Sequence, residues 1–418
     1  MDIFEICGKH RLFGEVKIDS AKNAVLPIIA GSILCDDEVN ILNVPKLVDV
    51  QKMAEILMSM GAKVSFVDDV LSINNSTISR CEIPCNLAHE IRSSIFMLGP
   101  LLAKHKMATV PYPGGCDIGA RPIDLHLAGL KALNVIVHED RGVLYCDGSH
   151  MKSGVVHLDF ASVGATENIL MASVFLKGTT TIYNAAKEPE IVDLASFINK
   201  MGGKVRGAGT SVIKITGVKH LTGGNYLCIS DRIEAGTMIL ATAITGGKIT
   251  LKNANAEHIF ALIVKMRELG CQITFDCDNI YVQNSFRLAS IPRVDTQPYP
   301  GFPTDLQAPL MAFLATCKGV SVLTENLFEN RFSHAYELNK MGAKILIKGR
   351  SAVIEGVEDL NGSEVIARDL RAGAGLTIAS LNARGKSIVK GVEYIDRGYD
   401  RLENKLASIG AEIIRKQM

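Results

Sequence analysis

The segment MGAKV, residues 60–64, is the first copy of a phrase that recurs along the chain and decides its fold. Each copy ends a helical run in a hydrophobic residue and continues with glycine (once asparagine), then small, polar and aliphatic residues. The separations between successive copies are 73, 68, 68, 72 and 68 residues, so six repeats fill the 418-residue chain. The second residues of the six copies are Gly61, Asn134, Gly202, Gly270, Gly342 and Gly410.

Each repeat shows the same local order of elements. Residues 48–61 (VDVQKMAEILMSMG) and 332–342 (FSHAYELNKMG) place apolar residues three and four apart, which predicts an amphipathic helix. The glycine at or near the helix C-terminus is expected to take the left-handed conformation. Residues 63–75 and 344–356 then alternate with period two around a short turn, which predicts a β-hairpin.

A second phrase, found between these units, predicts six buried helices. All six copies open with polar or charged residues and become apolar throughout, as in SAKNAVLPIIAGSIL, residues 20–34. The copies begin at residues 20, 88, 160, 230, 303 and 367. Buried helices surrounded by sheets make an α/β fold with two pseudo-symmetric lobes of three repeats. We place the first lobe at 22–229 and the second at 1–21 and 230–418.

Four of these helices carry a cation near their first residue, namely Lys22, Arg92, Arg232 and Arg371. Such charges can simply solvate a helix end. Their recurrence at one position of a repeat favours an anion-lined cleft instead, because helix N-termini also attract anions.

Composition excludes several classes of protein. The hydrophobic content of 47%, charged content of 21% and net charge of +1 indicate a globular protein without a general affinity for nucleic acid or membranes. The N-terminal residues lack the pattern of a secretion signal, and ten scattered cysteines without a CxxC pair suit the cytoplasm. No zinc-type spacing occurs, so we expect no metal site, and without a glycine-rich nucleotide motif any nucleotide binding would have to use another mode.

Cys116 is the strongest single candidate for chemistry. It follows Gly114 and Gly115 and precedes Arg121 by five residues, in a loop sequence that could form a mobile lid. A thiol reacts as its thiolate, and nearby cations lower its pKa. The alternative is an ordinary loop cysteine.

Two further candidates remain open between a structural and a functional role. Asp305, in FPTDLQAP (302–309), is favoured as a helix N-cap, although a carboxylate there could also take a proton from a substrate hydroxyl. Arg397 could form a surface pair with Asp396 or Asp400, or could bind an anion. His126 is expected to pack or to form a hydrogen bond on a helix face.

With these residues collected, the whole chain resembles the enolpyruvyl transferases, and among them those that act on UDP-N-acetylglucosamine. The motifs that carry the resemblance are SAKNAVLP (20), PGGCDIGARPIDLH (113), SVGATENIL (162), NAAKEPEIVDLA (184), FPTDLQAP (302), ENRFSHAYEL (329), DLRAGAGL (369) and IDRGYDRLE (395). The related shikimate-phosphate transferases lack the cysteine loop. The resemblance implies a two-domain inside-out α/β barrel that closes on phosphoenolpyruvate and UDP-N-acetylglucosamine, in the first committed step of peptidoglycan synthesis.

The resemblance also implies a role for each site residue. Cys116 would protonate C3 of the enolpyruvate and could form a thioether adduct, and Asp305 would act as the base at the sugar 3′-hydroxyl. Lys22 and Arg397 would also be catalytic. Phosphoenolpyruvate would be bound by Lys22, Asn23, Arg121 and Arg397. The nucleotide sugar would contact Asn23, Arg92, Arg121, Pro122, Ile123, Asp124, Leu125, Ser162, Val163, Gly164, Asp305 and Leu327. Asp369, Arg371 and Arg331 would support the site.

Two departures from relatives stand out. Phe160 lies where many relatives carry a lysine near the nucleotide diphosphate, and Leu327 replaces a smaller aliphatic residue of some relatives. The sequence leaves open a catalytically silent paralogue that binds the nucleotide sugar and regulates a partner.

Overall fold

The computed structural model describes residues 2–114 and 122–417, and Cys116 and Arg121 lie outside these ranges. The described chain divides into two compact units. The first unit comprises residues 20–114 and 122–229, and the second comprises residues 2–19 and 230–417.

The helices of the described chain include amphipathic helices and almost fully buried ones. In chain order they are α1 Lys22–Gly31, α2 Val48–Met60, α3 Cys85–Glu90, α4 Leu98–His105, α5 Asp124–Ala132, α6 Val163–Ala172, α7 Pro189–Lys200, α8 Arg232–Thr245, α9 Phe260–Glu268, α10 Gln307–Leu314, α11 His334–Lys340, α12 Leu370–Leu381, α13 Val392–Ile395 and α14 Leu402–Ser408. Short 3₁₀ turns cover Ser32–Leu34, Arg92–Met97, Ala256–Ile259 and Thr304–Leu306.

The strands are short, as expected for hairpins that recur within each repeat. In chain order they are β1 Asp2–Cys7, β2 Leu12–Lys17, β3 Val39–Leu42, β4 Lys63–Val67, β5 Val70–Asn74, β6 Met107–Pro111, β7 Ile136–Asp140, β8 Val143–Asp147, β9 Val155–His157, β10 Thr179–Tyr183, β11 Val205–Arg206, β12 Val212–Thr216, β13 Gly224–Leu227, β14 Gly247–Lys252, β15 Gln272–Phe275, β16 Asn279–Asn284, β17 Arg293–Asp295, β18 Val320–Thr324, β19 Lys344–Lys348, β20 Ser351–Glu355, β21 Leu360–Asn361, β22 Glu364–Ile366, β23 Ala383–Arg384, β24 Lys386–Lys390 and β25 Glu412–Gln417.

Each predicted repeat corresponds to one sheet. The sheets of the first unit have the orders β13-β3-β5-β4, β6-β8-β7 and β11-β12-β10-β9. Those of the second unit are β15-β16-β14-β2, β17-β18-β20-β19 and β22-β24-β1-β25, with a small β21-β23 pair. In each four-stranded sheet one strand pairs antiparallel with one neighbour and parallel with an outer strand. These strands are β3, β10, β14, β18 and β24. In the β6 sheet a single parallel bridge, Glu82 to Thr109, takes the place of that outer strand.

The sixth repeat differs from the predicted pattern in its hairpin. Only β25 follows Gly410, and β1 from the other end of the chain takes the place of the second hairpin strand. Phe4 on β1 is opposite Val389 of β24 and Arg415 of β25, and its side chain is fully buried. Local periodicity could not reveal this pairing, because it joins residues about as far apart as the chain allows.

The six phrase positions all have the left-handed backbone predicted for them. Their φ angles are 109° (Gly61), 65° (Asn134), 103° (Gly202), 92° (Gly270), 91° (Gly342) and 101° (Gly410). In every copy the next amide donates to the carbonyl five residues earlier, at 2.8–3.1 Å in such pairs as Ala62 to Leu57 and Gly203 to Ile198. This is the Schellman arrangement that ends a helix. Asparagine serves in the second copy because it tolerates the left-handed region better than other residues with a side chain.

The six buried helices are also confirmed. They are α1, α4, α6, α8, α10 and α12, and every residue of α10 and α12 is buried. Each unit packs its three helices into its own apolar core. In two copies the predicted continuous helix is broken, because a 3₁₀ turn, Arg92–Met97 or Thr304–Leu306, precedes the α-helix.

Glu167 on α6 is an ionisable residue inside the core of the first unit. Its side chain is 1% exposed, and neither carboxyl oxygen has a hydrogen-bond partner among the described residues. Burial, and then the nearby carboxylates of Glu190 and Glu188, raise the pKa of Glu167 well above its ordinary value. The folded protein therefore keeps this group protonated where the unfolded chain ionises it.

Substituting Glu167 by glutamine should stabilise the protein increasingly as the pH rises. The folded state binds the extra proton, so the wild-type free energy of unfolding falls by about 1.4 kcal/mol per pH unit above the unfolded pKa. Urea unfolding of both proteins between pH 5 and 8 measures this difference. Curves that stay parallel over that range would contradict a protonated Glu167.

Candidate functional site

Asp305 lies between two buried arginines in the second unit. Its Oδ1 accepts a hydrogen bond from Nη2 of Arg331 at 2.7 Å, and its Oδ2 accepts one from Nη2 of Arg371 at 2.9 Å. Both arginine side chains are 5% exposed, whereas that of Asp305 is 26% exposed. Burial would raise the pKa of Asp305, but Arg371 and Arg331 outweigh it and lower the pKa below its ordinary range. The group is an ionised carboxylate that remains accessible.

The expectation that Asp305 is an N-cap is wrong. The residue lies inside the 3₁₀ turn Thr304–Leu306, whose N-cap is Pro303, and no side chain caps that turn. Both of its oxygens instead face guanidinium groups from residues 26 and 66 positions away. Such partners are invisible to a local pattern. The functional alternative, in which the carboxylate takes a proton from a substrate hydroxyl, stays a prediction.

Arg371 is fixed by the first turn of α12. Asp369 is the N-cap and accepts hydrogen bonds from the amides of Arg371 and Ala372, both at 2.9 Å. The guanidinium carbon of Arg371 lies 5.5 Å from the centre of the Tyr399 ring. The Tyr399 hydroxyl is 2.8 Å from Oγ1 of Thr237 on α8. Asp369 thus supports Arg371, and through it Asp305, without contacting that carboxylate.

His334, within ENRFSHAYEL, interacts electrostatically with Asp369 and Arg331, and the sequence alone did not single it out. It opens α11, is 2% exposed, and has no hydrogen-bond partner for Nε2 among the described residues. Burial lowers its pKa to about 4, with Asp369 opposing and Arg331 adding to the shift. A neutral imidazole therefore adds no third positive charge to the two arginines.

Leu327 and Arg397 are also in the second unit. Leu327 is half-buried, and its amide donates to Oε1 of Glu325 at 2.9 Å. Arg397 is partly buried just after α13. Asp396, one of its two candidate partners, binds Arg415 with an Nη1–Oδ1 distance of 3.0 Å.

In the first unit, Lys22 opens α1 and forms an ion pair with Asp49 on α2. The Nζ–Oδ2 distance is 2.7 Å, and the two side chains are 11% and 6% exposed. Asn23, the next residue, is exposed. The pair holds the Lys22 ammonium group at the N-terminus of a buried helix, where the helix dipole favours an anion.

Hydrogen bonds of His126 and Asn168 connect three segments of the first unit, namely α5, α6 and the 3₁₀ turn Arg92–Met97. Nδ1 of His126 lies 2.8 Å from Nδ2 of Asn168, which also donates to the carbonyl of Ile95. The hydrogen-bonding prediction for His126 is therefore confirmed. Burial, and then the charge of Arg92, lower its pKa to about 4. The ring is neutral, and because Nδ1 accepts, its proton is on Nε2.

A side chain at Gly164 would crowd this imidazole. A Cβ there would lie 3.0 Å from Cε1 and 3.1 Å from Nε2 of His126. Ser162 caps the same helix, α6, by accepting from the Ala165 amide at 3.3 Å. Ser162, Val163 and Gly164 are partly exposed, so the first turn of α6 presents backbone amides.

The remaining residues predicted to contact the nucleotide sugar lie at the start of α5 or just before it, and Phe160 precedes α6. Pro122 and Asp124 are exposed, Ile123 is buried and Leu125 is half-buried. Phe160 is 50% exposed. Cys116 and Arg121 lie outside the described residues. Within residues 2–114 and 122–417 no cluster of His, Cys, Asp and Glu is arranged to hold a metal ion, and no helix of those residues could span a membrane.

Comparison with known proteins first identifies the class of protein to which the chain belongs. The sequence model of the family EPSP synthase (3-phosphoshikimate 1-carboxyvinyltransferase) matches residues 6–406. The enolpyruvyl transferase NikO from Streptomyces tendae superposes with a TM-score of 0.89 at 21% identity, covering 100% of this chain and 99% of that one. EPSP synthase from Acinetobacter baumannii gives 0.78 at 17% identity, with 100% of both chains covered. The fold is therefore the two-domain inside-out α/β barrel of the carboxyvinyl transferases.

Relatives with higher sequence identity identify the family within this class. UDP-N-acetylglucosamine 1-carboxyvinyltransferase 2 of Carboxydothermus hydrogenoformans is 50% identical, with 99% of each chain covered. The protein of the same name from Caldanaerobacter subterraneus subsp. tengcongensis is 48% identical, over 99% of this chain and 100% of its own. The chain belongs to the UDP-N-acetylglucosamine 1-carboxyvinyltransferase family.

Proposed function

We propose that the protein transfers the enolpyruvyl group of phosphoenolpyruvate to the 3′-hydroxyl of UDP-N-acetylglucosamine and releases phosphate. The observation that carries this proposal is the likeness, over essentially the full length, to relatives of that name. The reaction would be the first committed step of peptidoglycan synthesis, in the cytoplasm. Both substrates are small molecules, and the chemistry requires no metal or organic cofactor.

Asp305 is the base in this mechanism. Its carboxylate is ionised and partly exposed, so it can accept the proton of the 3′-hydroxyl. Two arginines make it a weak base, and it therefore takes the proton only as the hydroxyl oxygen bonds to C2 and becomes acidic. Arg331 and Arg371 keep the carboxylate in one orientation during this step.

Cys116 delivers a proton to C3 as the oxygen adds to C2, which gives a tetrahedral adduct. The Cys116 thiolate then takes a proton back from C3 as the bond between C2 and the phosphate oxygen breaks, which restores the double bond. The leaving phosphate takes the proton held by Asp305, so both side chains return to their starting states. Closing a lid over the adduct would keep water away from the cationic character at C2.

Cationic side chains suit the anionic substrates. Lys22, Asn23, Arg121 and Arg397 would bind the phosphate and carboxylate of phosphoenolpyruvate. Arg92 and the first turn of α6 (Ser162, Val163, Gly164) would take the diphosphate, and residues 122–125 the uridine. The neutral His126 gives this turn a hydrogen-bond donor without a second charge next to Arg92.

Phosphate release with both substrates tests the proposal directly. We expect turnover with UDP-N-acetylglucosamine and none when shikimate 3-phosphate replaces it as acceptor. Binding of the nucleotide sugar without phosphate release at any pH would instead favour a silent, regulatory paralogue. The Asp305 arrangement argues against that outcome, because a binding protein has no need of a carboxylate held between two buried arginines.

A further inference from the structure

Glu325 is a buried carboxylate that the mechanism above does not use. It follows β18, and its side chain is 1% exposed. Its Oε1 accepts hydrogen bonds from Oγ1 of Thr296 at 2.9 Å and from the amides of Leu327 at 2.9 Å and Phe328 at 3.2 Å. Its Oε2 accepts one from Oγ1 of Thr304 at 2.8 Å. Hydroxyls and backbone amides thus satisfy a charge that burial would otherwise make costly.

The Thr304 hydroxyl connects Glu325, through Arg331, to the candidate base Asp305. The Thr304 hydroxyl has one proton, and a carboxylate can only accept, so this proton points to Glu325. The lone pairs of the same oxygen then face Nη1 of Arg331, 2.7 Å away. Nη2 of that arginine donates to Asp305 at 2.7 Å. The direction of every hydrogen bond from Glu325 to Asp305 is therefore determined.

The other oxygen of Glu325 orders the segment that follows it. It binds the amides of Leu327 and Phe328, and the Phe328 ring centre lies 5.1 Å from the guanidinium carbon of Arg331. Arg331 is consequently held from two sides by groups that Glu325 orients.

We infer that Glu325 is a positioning residue for the reaction, which acts through Thr304 and Arg331 to hold the Asp305 carboxylate. This inference rests on the proposed function. Glu325 does not touch the substrate in this role; it orients the hydroxyl that fixes one of the two arginines. A group that only stabilised the loop after β18 would not need the Thr304 contact.

Glu325→Gln tests the role because an amide keeps the shape but replaces one acceptor oxygen with a donor. We expect kcat to fall by about 10- to 100-fold, since misplacement of a reacting group by about 1 Å has effects of that size. The KM for phosphoenolpyruvate should not change. Glu337→Gln is the matched control, because Glu337 is a 7% exposed carboxylate of the same unit that binds Lys340 and the Ile366 amide instead.

Substitutions of Thr304 distinguish the positioning role of Glu325 from a purely structural one, because a structural role predicts no dependence of kcat on the Thr304 hydroxyl. Thr304→Val should lower kcat, and Thr304→Ser, which keeps the hydroxyl, should restore most of the loss. Adding Thr304→Val to Glu325→Gln should reduce kcat by less than Thr304→Val does alone, because the contact is already broken.

The outcomes distinguish a failure of the proposed function from a failure of the positioning role. Wild-type protein that releases no phosphate overturns the proposed function and this role with it. With an active wild type, an unchanged kcat in folded Glu325→Gln, equal losses in Thr304→Ser and Thr304→Val, or independent effects in the double variant overturn the positioning role alone. Should Glu325→Gln not fold, the comparison of Thr304→Ser with Thr304→Val decides.

Discussion

Replacement of Asp305 by asparagine is expected to lower kcat by about 10²- to 10⁴-fold, the usual contribution of a general base. The amide cannot accept the 3′-hydroxyl proton, and its NH₂ group faces one of the two guanidinium donors. Steady-state phosphate release at saturating concentrations of both substrates measures the loss. An Asp305→Asn enzyme with wild-type kcat would contradict the assignment of the base.

The same substitution should also reduce stability. Arg331 and Arg371 are both 5% exposed, and without the carboxylate they are neighbouring buried cations. We expect the free energy of unfolding to fall by about 3 kcal/mol, as for other broken buried ion pairs. Chemical denaturation measures this change.

Asp295→Asn is the matched control for both measurements. The Asp295 side chain is 27% exposed, like that of Asp305, but its partner Arg293 is 69% exposed. An exposed pair contributes about 1 kcal/mol or less. If the control loses as much stability or activity as Asp305→Asn, burial of the arginines is not the cause.

Cys116→Ala is expected to reduce phosphate release by at least about 10²-fold, because the proton donor for C3 is removed. The chain offers close controls in Cys85 and Cys277, which are exposed thiols whose substitution by alanine should leave turnover intact. Each variant can be assayed under the same conditions as the wild type. Full turnover by Cys116→Ala would remove this residue from the mechanism.

Alkylation gives a second measurement on the same thiol. An epoxide should inactivate the enzyme by modifying Cys116, and peptide mass mapping should find the adduct there. Inactivation that maps to Cys85 or Cys277 would count against a specially reactive Cys116. The Cys116→Ala variant should take up no reagent at the corresponding peptide.

The repeat could be read from the sequence because it depends on local physics. Helix periodicity, a left-handed residue after each amphipathic helix and the period of the hairpins all act over a few residues. Gly61 and Asn134 take the same conformation although only one is glycine, since the chain must turn at the same point in both copies. The six buried helices were predictable for the same reason.

The candidate site was predictable only in part. Motifs indicated Asp305, Arg331 and Arg371, but local pattern favoured a cap for Asp305, and the structure shows a double ion pair instead. Glu325 and His334 gave no signal of their own, since a buried carboxylate and a buried imidazole resemble any other polar residue in a one-dimensional pattern.

By itself the sequence determined the six repeats, the buried helices and the residues able to do the chemistry. Tertiary structure alone decided that β1 completes the sixth sheet, that two arginines hold Asp305, and that Glu325 reaches it through Thr304. The physical reason is the separation along the chain over which each kind of interaction acts. Conformational preferences are set by neighbours along the chain, whereas the partner of a charge or of a strand edge is set by whichever group the folded core brings within hydrogen-bonding distance.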